Sequence, residues 1–306
     1  MRVQFQTILC ATDLSDNANH AVYHGIALAH EFQARLLLCH VIDLPTPAMY
    51  GEAYLAPEEH LNRNLEYAQE YLAALMAGQG LTWEPVITVG PAADEISRVA
   101  REWKADITVT ATRGRTGLKR LLLGSVTERL MRTLPCPLLV VRAAEPLAQL
   151  PQKGGLQIRR ILVGCDFSPD ADLAFVHALS MAQEFQAELH LVHVIEMPVY
   201  TEILKPVMEH RRESSVAVKE FLQEKLLRLV PEEARHWCRP QTALLEGQPY
   251  GQLLQYAADH YVDLIVLGVR GHGLIGTLIM GSTTDRVIRH AQCPVLSVCP
   301  PHRDAA

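Results

Sequence analysis

The chain has 306 residues, 49% of them hydrophobic, and a formal net charge of −6 from 28 basic and 34 acidic side chains. That length suggests about two domains. The lack of a long basic run argues against a general nucleic-acid binder, and no apolar run approaches the ~20 residues that a bilayer-spanning helix needs.

In chain order, short apolar runs alternate with longer helical patterns. In the first half the spacing predicts strands over Thr7–Ala11, Arg35–Val41, Thr82–Val89, Ile107–Ala111 and Pro137–Arg142. Helices are predicted over Asp16–Gln33, Pro57–Ala77, Ala92–Trp103 and Ser125–Thr133. The second half repeats this order and opens its first helix with Ser168-Pro169, a good N-cap followed by proline at the first helical position. Near-continuous apolar strands alternating with helices imply a parallel sheet covered on both faces. Right-handed crossovers then give an open, doubly wound, Rossmann-like α/β domain. Its ligands sit beyond the carboxyl ends of the strands, where the strand order switches.

The halves are copies of each other. At an offset of 153, Ile8–Asp13 pairs with Ile161–Asp166, Glu31-Phe-Gln-Ala34 recurs as Glu184-Phe-Gln-Ala187, and His40-Val-Ile42 recurs as His193-Val-Ile195. At an offset of 157, Gly90 pairs with Gly247, Asp106 with Asp263, and Cys136-Pro137 with Cys293-Pro294. The expected organisation is a first domain over 1–142, a linker over 143–157, a second domain over 158–300 and a tail over 301–306.

Beyond the predicted fourth strand of the second copy lies Gly268-Val-Arg-Gly271, then nine residues, then Gly281-Ser282. Glycines between a strand and a helix allow close backbone approach to a ligand. The unpaired N–H groups and dipole of the next helix favour an anion, usually a phosphate. The first copy holds the same spacing in Ala111-Thr-Arg-Gly114 and Gly124-Ser125.

Together these residues resemble the ATP-binding subgroup of the universal stress protein family, across both halves of the chain. The second copy matches the family pattern at Asp166, Val194, Gly268, Gly271, Gly281 and Ser282. The first matches at Asp13, Val41, Gly114, Gly124 and Ser125, and departs at Ala111. The resemblance implies two tandem five-stranded parallel sheets of the adenine nucleotide alpha hydrolase-like type, packed as an intramolecular pseudo-dimer. Asp13 and Asp166 would accept from the adenine amino group, and the main chain at Val41 and Val194 would meet the base edge. The ribose and phosphates of ATP or ADP, with Mg²⁺ as a candidate counter-ion, would lie on Gly114, Gly124, Ser125 and Val126, and on Gly268, Gly271, Gly281, Ser282 and Thr283. Arg113 and Arg270 supply cations in the two loops. The residues themselves allow another reading, in which Asp13 and Asp166 are helix-entry caps and Ser125 and Ser282 are N-caps.

Glycine geometry favours the second copy, because Ala111 adds a Cβ where Gly268 has none. Charge favours the first, whose loop holds Arg113, Arg115, Lys119 and Arg120 against Arg270 and His272 in the second. His20 and His24 have metal-compatible spacing without a completing ligand, so they read as packing residues. His40 and His193 close the second strands and read first as structural. Two dissimilar segments, Leu44 to Pro57 and Met197 to Pro206, are candidates for covering a ligand.

No P-loop, nucleophile elbow or metalloprotease motif occurs, so no catalytic residue is assigned and slow ATP hydrolysis is the most the sequence suggests. The expected function is an adenine-nucleotide-binding stress-response or signalling module whose occupancy alters a surface read by a protein partner. The alternatives are a pseudo-dimeric interaction module with a vestigial site and a slow ATPase or autophosphorylating protein. Family members pair through their last strands, which a tandem chain can do internally, and a homodimer of the whole chain is compatible with this. Seven cysteines without Cys-x-x-Cys spacing suggest a reducing compartment, and no signal-peptide pattern precedes Asp13. The expectation is a cytoplasmic protein.

Overall fold

The computed structural model describes residues 3–43, 57–112, 123–142, 157–196, 212–236, 238, 240–270 and 280–300. The chain divides into two compact units, whose bodies are Gln4–Leu156 and Gln157–Cys299.

The first unit runs β1 (Thr7–Ala11), α1 (Asp16–Phe32), β2 (Arg35–Ile42), α2 (Pro57–Met76) and β3 (Trp83–Val89). It continues through α3 (Ala92–Glu102), β4 (Ile107–Ala111), α4 (Ser125–Thr133) and β5 (Leu138–Val141). Its strands are all parallel and lie in the order β3-β2-β1-β4-β5. The order reverses between β1 and β4, which opens a crevice at their carboxyl ends. Residues of β1, β4 and β5 are buried throughout, as expected for strands covered on both faces.

The second unit repeats this plan. It contains β6 (Arg160–Gly164), α5 (Pro169–Phe185), β7 (Glu188–Ile195), α6 (Arg212–Leu229) and a short 3-10 helix (Glu232–His236). Then follow β8 (Gln241–Glu246), α7 (Pro249–Asp259), β9 (Leu264–Gly268), α8 (Ser282–His290) and β10 (Val295–Val298). The order β10-β9-β6-β7-β8 is again parallel and places the switch between β6 and β9.

The repeated sequence fragments have local physical causes. Asp106 accepts hydrogen bonds from the Gln6 and Thr7 N–H groups at 2.7 and 2.9 Å, and Asp263 does the same for Arg159 and Arg160 at 2.8 and 2.9 Å. Each carboxylate pins the start of the first strand beside the start of the fourth. The Glu-Phe-Gln-Ala repeat ends a helix: Gln33 and Gln186 adopt left-handed conformations, φ 52° and 51°. The N–H groups of Ala34 and Ala187 then reach back to Ala29 and Ala182, a Schellman-type closure that satisfies helix carbonyls. Gly90 and Gly247, at φ 147° and 133°, turn the chain after β3 and β8 into α3 and α7.

Small differences from the expected bounds fall at element ends: β2 runs one residue further, to Ile42, β3 starts at Trp83, β5 spans Leu138–Val141, and α1, α2 and α3 end at Phe32, Met76 and Glu102. No disulfide links any of the seven cysteines, all of which lie in the described residues. No described helix is long and apolar enough to cross a membrane.

Candidate nucleotide site

In each unit the turn after the first strand carries the candidate base-end aspartate. The Ser15 N–H and hydroxyl both donate to Asp13 Oδ1, at 3.1 and 2.5 Å, while Ser15 Oγ accepts from the Ala18 N–H at 3.2 Å. The second unit repeats this with the Ser168 N–H on Asp166 Oδ1 at 2.9 Å and the Ala171 N–H on Ser168 Oγ at 3.2 Å. Both aspartates therefore build the helix entry, and the serines are the true N-caps of α1 and α5. The residues between, Leu14 and Phe167, sit at φ 64° and 63°. Bulky side chains rarely adopt this region, and such strain gathers at functional turns. The one-letter pattern gives no sign of it, since neither residue is glycine or asparagine.

His40 and His193 brace these turns. Their Nδ1 atoms lie 2.9 Å from the Thr12 carbonyl oxygen and 2.6 Å from that of Cys165. A carbonyl only accepts, so Nδ1 carries the proton in both rings. In the second unit Phe167 packs on His193 with ring centroids 4.8 Å apart, and Lys225 lies 4.0 Å from the Phe167 centroid. Val41 and Val194 are half-buried, each one residue before the end of its strand.

The candidate phosphate end lies across the switch point. Thr112 donates its N–H to the Val141 carbonyl and accepts the Gly124 N–H at 2.9 Å, which fixes the start of α4 just beyond β4. Val269 likewise bonds Val298 and accepts the Gly281 N–H at 2.8 Å. The caps of α4 and α8 are Gly124 and Gly281, not the serines, and neither makes a side-chain capping hydrogen bond. Ser125 and Ser282 are the exposed first residues of their helices, followed by half-buried Val126 and Thr283. The next hydroxyls are turned inward: Thr127 donates to the Ala111 carbonyl at 2.9 Å and Thr284 to the Gly268 carbonyl at 2.7 Å. Each helix thus presents its first N–H groups without a side-chain cap, the arrangement that favours an anion.

Arg113, Gly114, Arg115, Lys119, Arg120, Gly271 and His272 lie outside the described residues, as do most of the two candidate covering segments. Gly268 has a structural reason of its own. A Cβ there would lie 2.7 Å from the Asp170 carbonyl carbon, 2.8 Å from its oxygen and 2.9 Å from the Ala171 nitrogen. The tight neighbour is the first turn of α5, whereas Ala111 carries its methyl with 6% exposure in the first unit. The glycine at this position reports close packing of β9 against the first turn of α5.

Arg270 meets a partner that the motif did not reveal. Its N–H and Nε each donate to Asp170 Oδ2 at 3.1 Å, and Asp170 is itself buried at 7% exposure. Cys299 lies close enough to feel both charges. Its thiol is pushed up to about 11, chiefly by burial, with Asp170 raising and Arg270 lowering it. In the repeat, Asp170 aligns with Asn17 and Cys299 with Arg142, so this cluster belongs to the second unit's sequence alone.

Elsewhere, His24 and His177 donate from Nδ1 to the His20 and Leu173 carbonyls at 2.8 and 3.0 Å, and burial lowers both pKa values. They are helix-packing residues. Among the described residues no group of three or more His, Cys, Asp or Glu side chains suits a metal ion.

Known proteins match this arrangement over both halves. The family model described as the universal stress protein family fits residues 4–142 and again 157–298. A universal stress protein of Thermus aquaticus is 39% identical over 139 residues, covering 45% of this chain and 99% of the relative. One from Mycolicibacterium smegmatis is 27% identical over 302 residues, covering 96% of this chain and 97% of the relative. The crystal structure of a universal stress protein from Archaeoglobus fulgidus aligns with a TM-score of 0.66 at 22% identity. It covers 97% of this chain and 99% of that one, a likeness of fold. The chain therefore belongs to the universal stress protein family and carries the family's unit twice.

Proposed function

We propose that each unit binds an adenine nucleotide, ATP or ADP, across its switch point, and that the chain works as a stress-response module through occupancy rather than turnover. The observation that carries this reading is the pair of glycine-capped helices, α4 and α8, whose first N–H groups lack side-chain caps beside the carboxyl ends of β4 and β9. Phosphates would lie on Ser125 and Val126, or on Ser282 and Thr283, and the base would lie toward Asp13 with Val41, or Asp166 with Val194. Mg²⁺, where present, would travel on the phosphate oxygens. Ligand binding would order the glycine loop and bias a surface read by a protein partner, which requires that the nucleotide prefer one loop arrangement over another.

Titration calorimetry on nucleotide-stripped full chain tests the reading. ATP or ADP should bind with affinity well below about a millimolar, and the urea midpoint should rise with ligand concentration. Absence of both effects would overturn it.

A further inference from the structure

The start of the second unit's glycine loop is fitted onto the entry of α5. Gly268 lies against the main chain of Asp170 and Ala171 with no room for a Cβ, and Val269 accepts the N–H of Gly281, the cap of α8. The next residue, Arg270, is held at three points. Its main-chain N–H and its Nε both donate to Asp170 Oδ2 at 3.1 Å, and its carbonyl accepts from the Ser168 hydroxyl at 3.5 Å. One carboxylate thus sets both the main-chain position and the side-chain direction of this arginine.

The geometry of the pair decides what it offers to a ligand. The Asp170 side chain keeps 10% of its surface and the Arg270 side chain 30%, so the carboxylate lies inside and the guanidinium outside it. A guanidinium has five N–H donors, and the bond to Oδ2 uses only the one on Nε. No hydrogen bond to another described residue engages Nη1 or Nη2. Their outer edge is the fork that matches two oxygens of a phosphate. A loose arginine gives up rotamer freedom when it meets an anion, whereas one already tied through Nε gives up little. The carboxylate also repels a phosphate, but it does so from the buried side of the cation.

We propose that Asp170 is a positioning residue that holds Arg270 side-on, so that the outer edge of the guanidinium receives a phosphate of the nucleotide bound in the second unit. This deepens the nucleotide reading above and rests on it. Asparagine at 170 keeps an oxygen for the Arg270 main-chain N–H and loses the charge that grips Nε.

Hydrogen exchange of the full chain tests this, read by mass spectrometry over residues 264–290 as ATP or adenosine is added. That segment reports the second unit alone. Asp170→Asn should raise the ATP concentration needed for half-protection by about tenfold, with the adenosine value changed by less than about twofold. Arg270→Ala should do the same, and adding Asp170→Asn to it should bring little further loss, because the aspartate acts through the arginine. Arg270→Lys keeps the charge without the fork and should lose ATP nearly as far as Arg270→Ala. It stands on its own if Asp170→Asn folds poorly, and wild-type ATP affinity in Arg270→Lys would overturn the proposal. Wild type protected by ATP, with Asp170→Asn unchanged or tighter, would overturn the role of Asp170 and leave the nucleotide reading standing. Equal weakening of ATP and adenosine, or full additivity with Arg270→Ala, would mark a general structural effect and also overturn it. No protection of this segment by ATP in wild type would remove the nucleotide reading of the second unit together with the proposal.

Discussion

At Gly268 a side-chain methyl would press on the main chain of Asp170 and Ala171 at 2.7 to 2.9 Å. Main-chain atoms in a capped helix turn cannot swing aside as a side chain can, so α5 or β9 would have to shift. Gly268→Ala should destabilise the second unit by about 1–3 kcal/mol, the usual effect of overpacking. In the first unit, Ala111→Gly should cost about 0.5–1 kcal/mol, because glycine gives up more backbone freedom on folding. Urea melts of the two variants check both, and a Gly268→Ala midpoint equal to wild type would contradict the close packing. A second pair of positions follows the same logic. A Cβ on Gly164 would lie 2.5 Å from Leu267 Cδ2, and the first unit holds Ala11 and Thr110 at these places. A larger residue on one strand is matched by a smaller one on its neighbour.

Helix ends divide into two kinds, and the division separates structure from site. The entries of α1 and α5 are closed by Ser15 and Ser168, each backed by an aspartate. Their exits are closed by Gln33 and Gln186 in left-handed conformations. An L-residue in that region costs about 1–2 kcal/mol, and glycine removes the cost while adding about 0.4–1 kcal/mol of unfolded-chain freedom. Gln186→Gly should therefore stabilise the second unit by about 0.5–1 kcal/mol, read as a raised urea midpoint at unchanged slope. A lowered midpoint would mean that the glutamine side chain makes a contact worth more than the strain.

Strand and helix positions were legible because two-sided burial writes near-continuous apolar runs into β1, β5 and β9. Asp13, Asp166 and the glycine spacings were legible because the chain repeats them. The bond between Arg270 and Asp170 was not, since it joins residues 100 positions apart. Nor did the glycine pattern distinguish a ligand's approach from a helix's approach at Gly268.

On the scale of the whole molecule, each unit buries an imidazole that the other lacks: His20 in the first, where the second has Leu173, and His190 in the second. Burial lowers the pKa of His24 in the first unit, and of His177 and His190 in the second. His190 lies within a polar cluster: Tyr256 Oη is 3.0 Å from Nδ1, and Glu188 Oε2 is 3.7 Å from Nε2. Arg160 lies 3.6 Å from Glu188, and the His260 ring centroid is 5.7 Å from that of His190. His260 and Arg160 oppose a positive His190, Glu188 favours it, and burial prevails. Leu37 occupies the corresponding position in the first unit. In the unfolded chain these histidines take up protons near their ordinary value of about 6.5, while the folded units hold them neutral to lower pH. Their contribution to stability is therefore complete above about pH 6.5 and declines as pH falls through that value toward the lowered ones. Between about pH 7.5 and about pH 5.5, protection against hydrogen exchange, read by mass spectrometry, should fall in both units. His190→Gln keeps an amide for the Tyr256 hydroxyl and cannot titrate, so it should reduce the second unit's loss. A loss in the second unit that is unchanged in the variant would show that its acid sensitivity lies in groups other than His190.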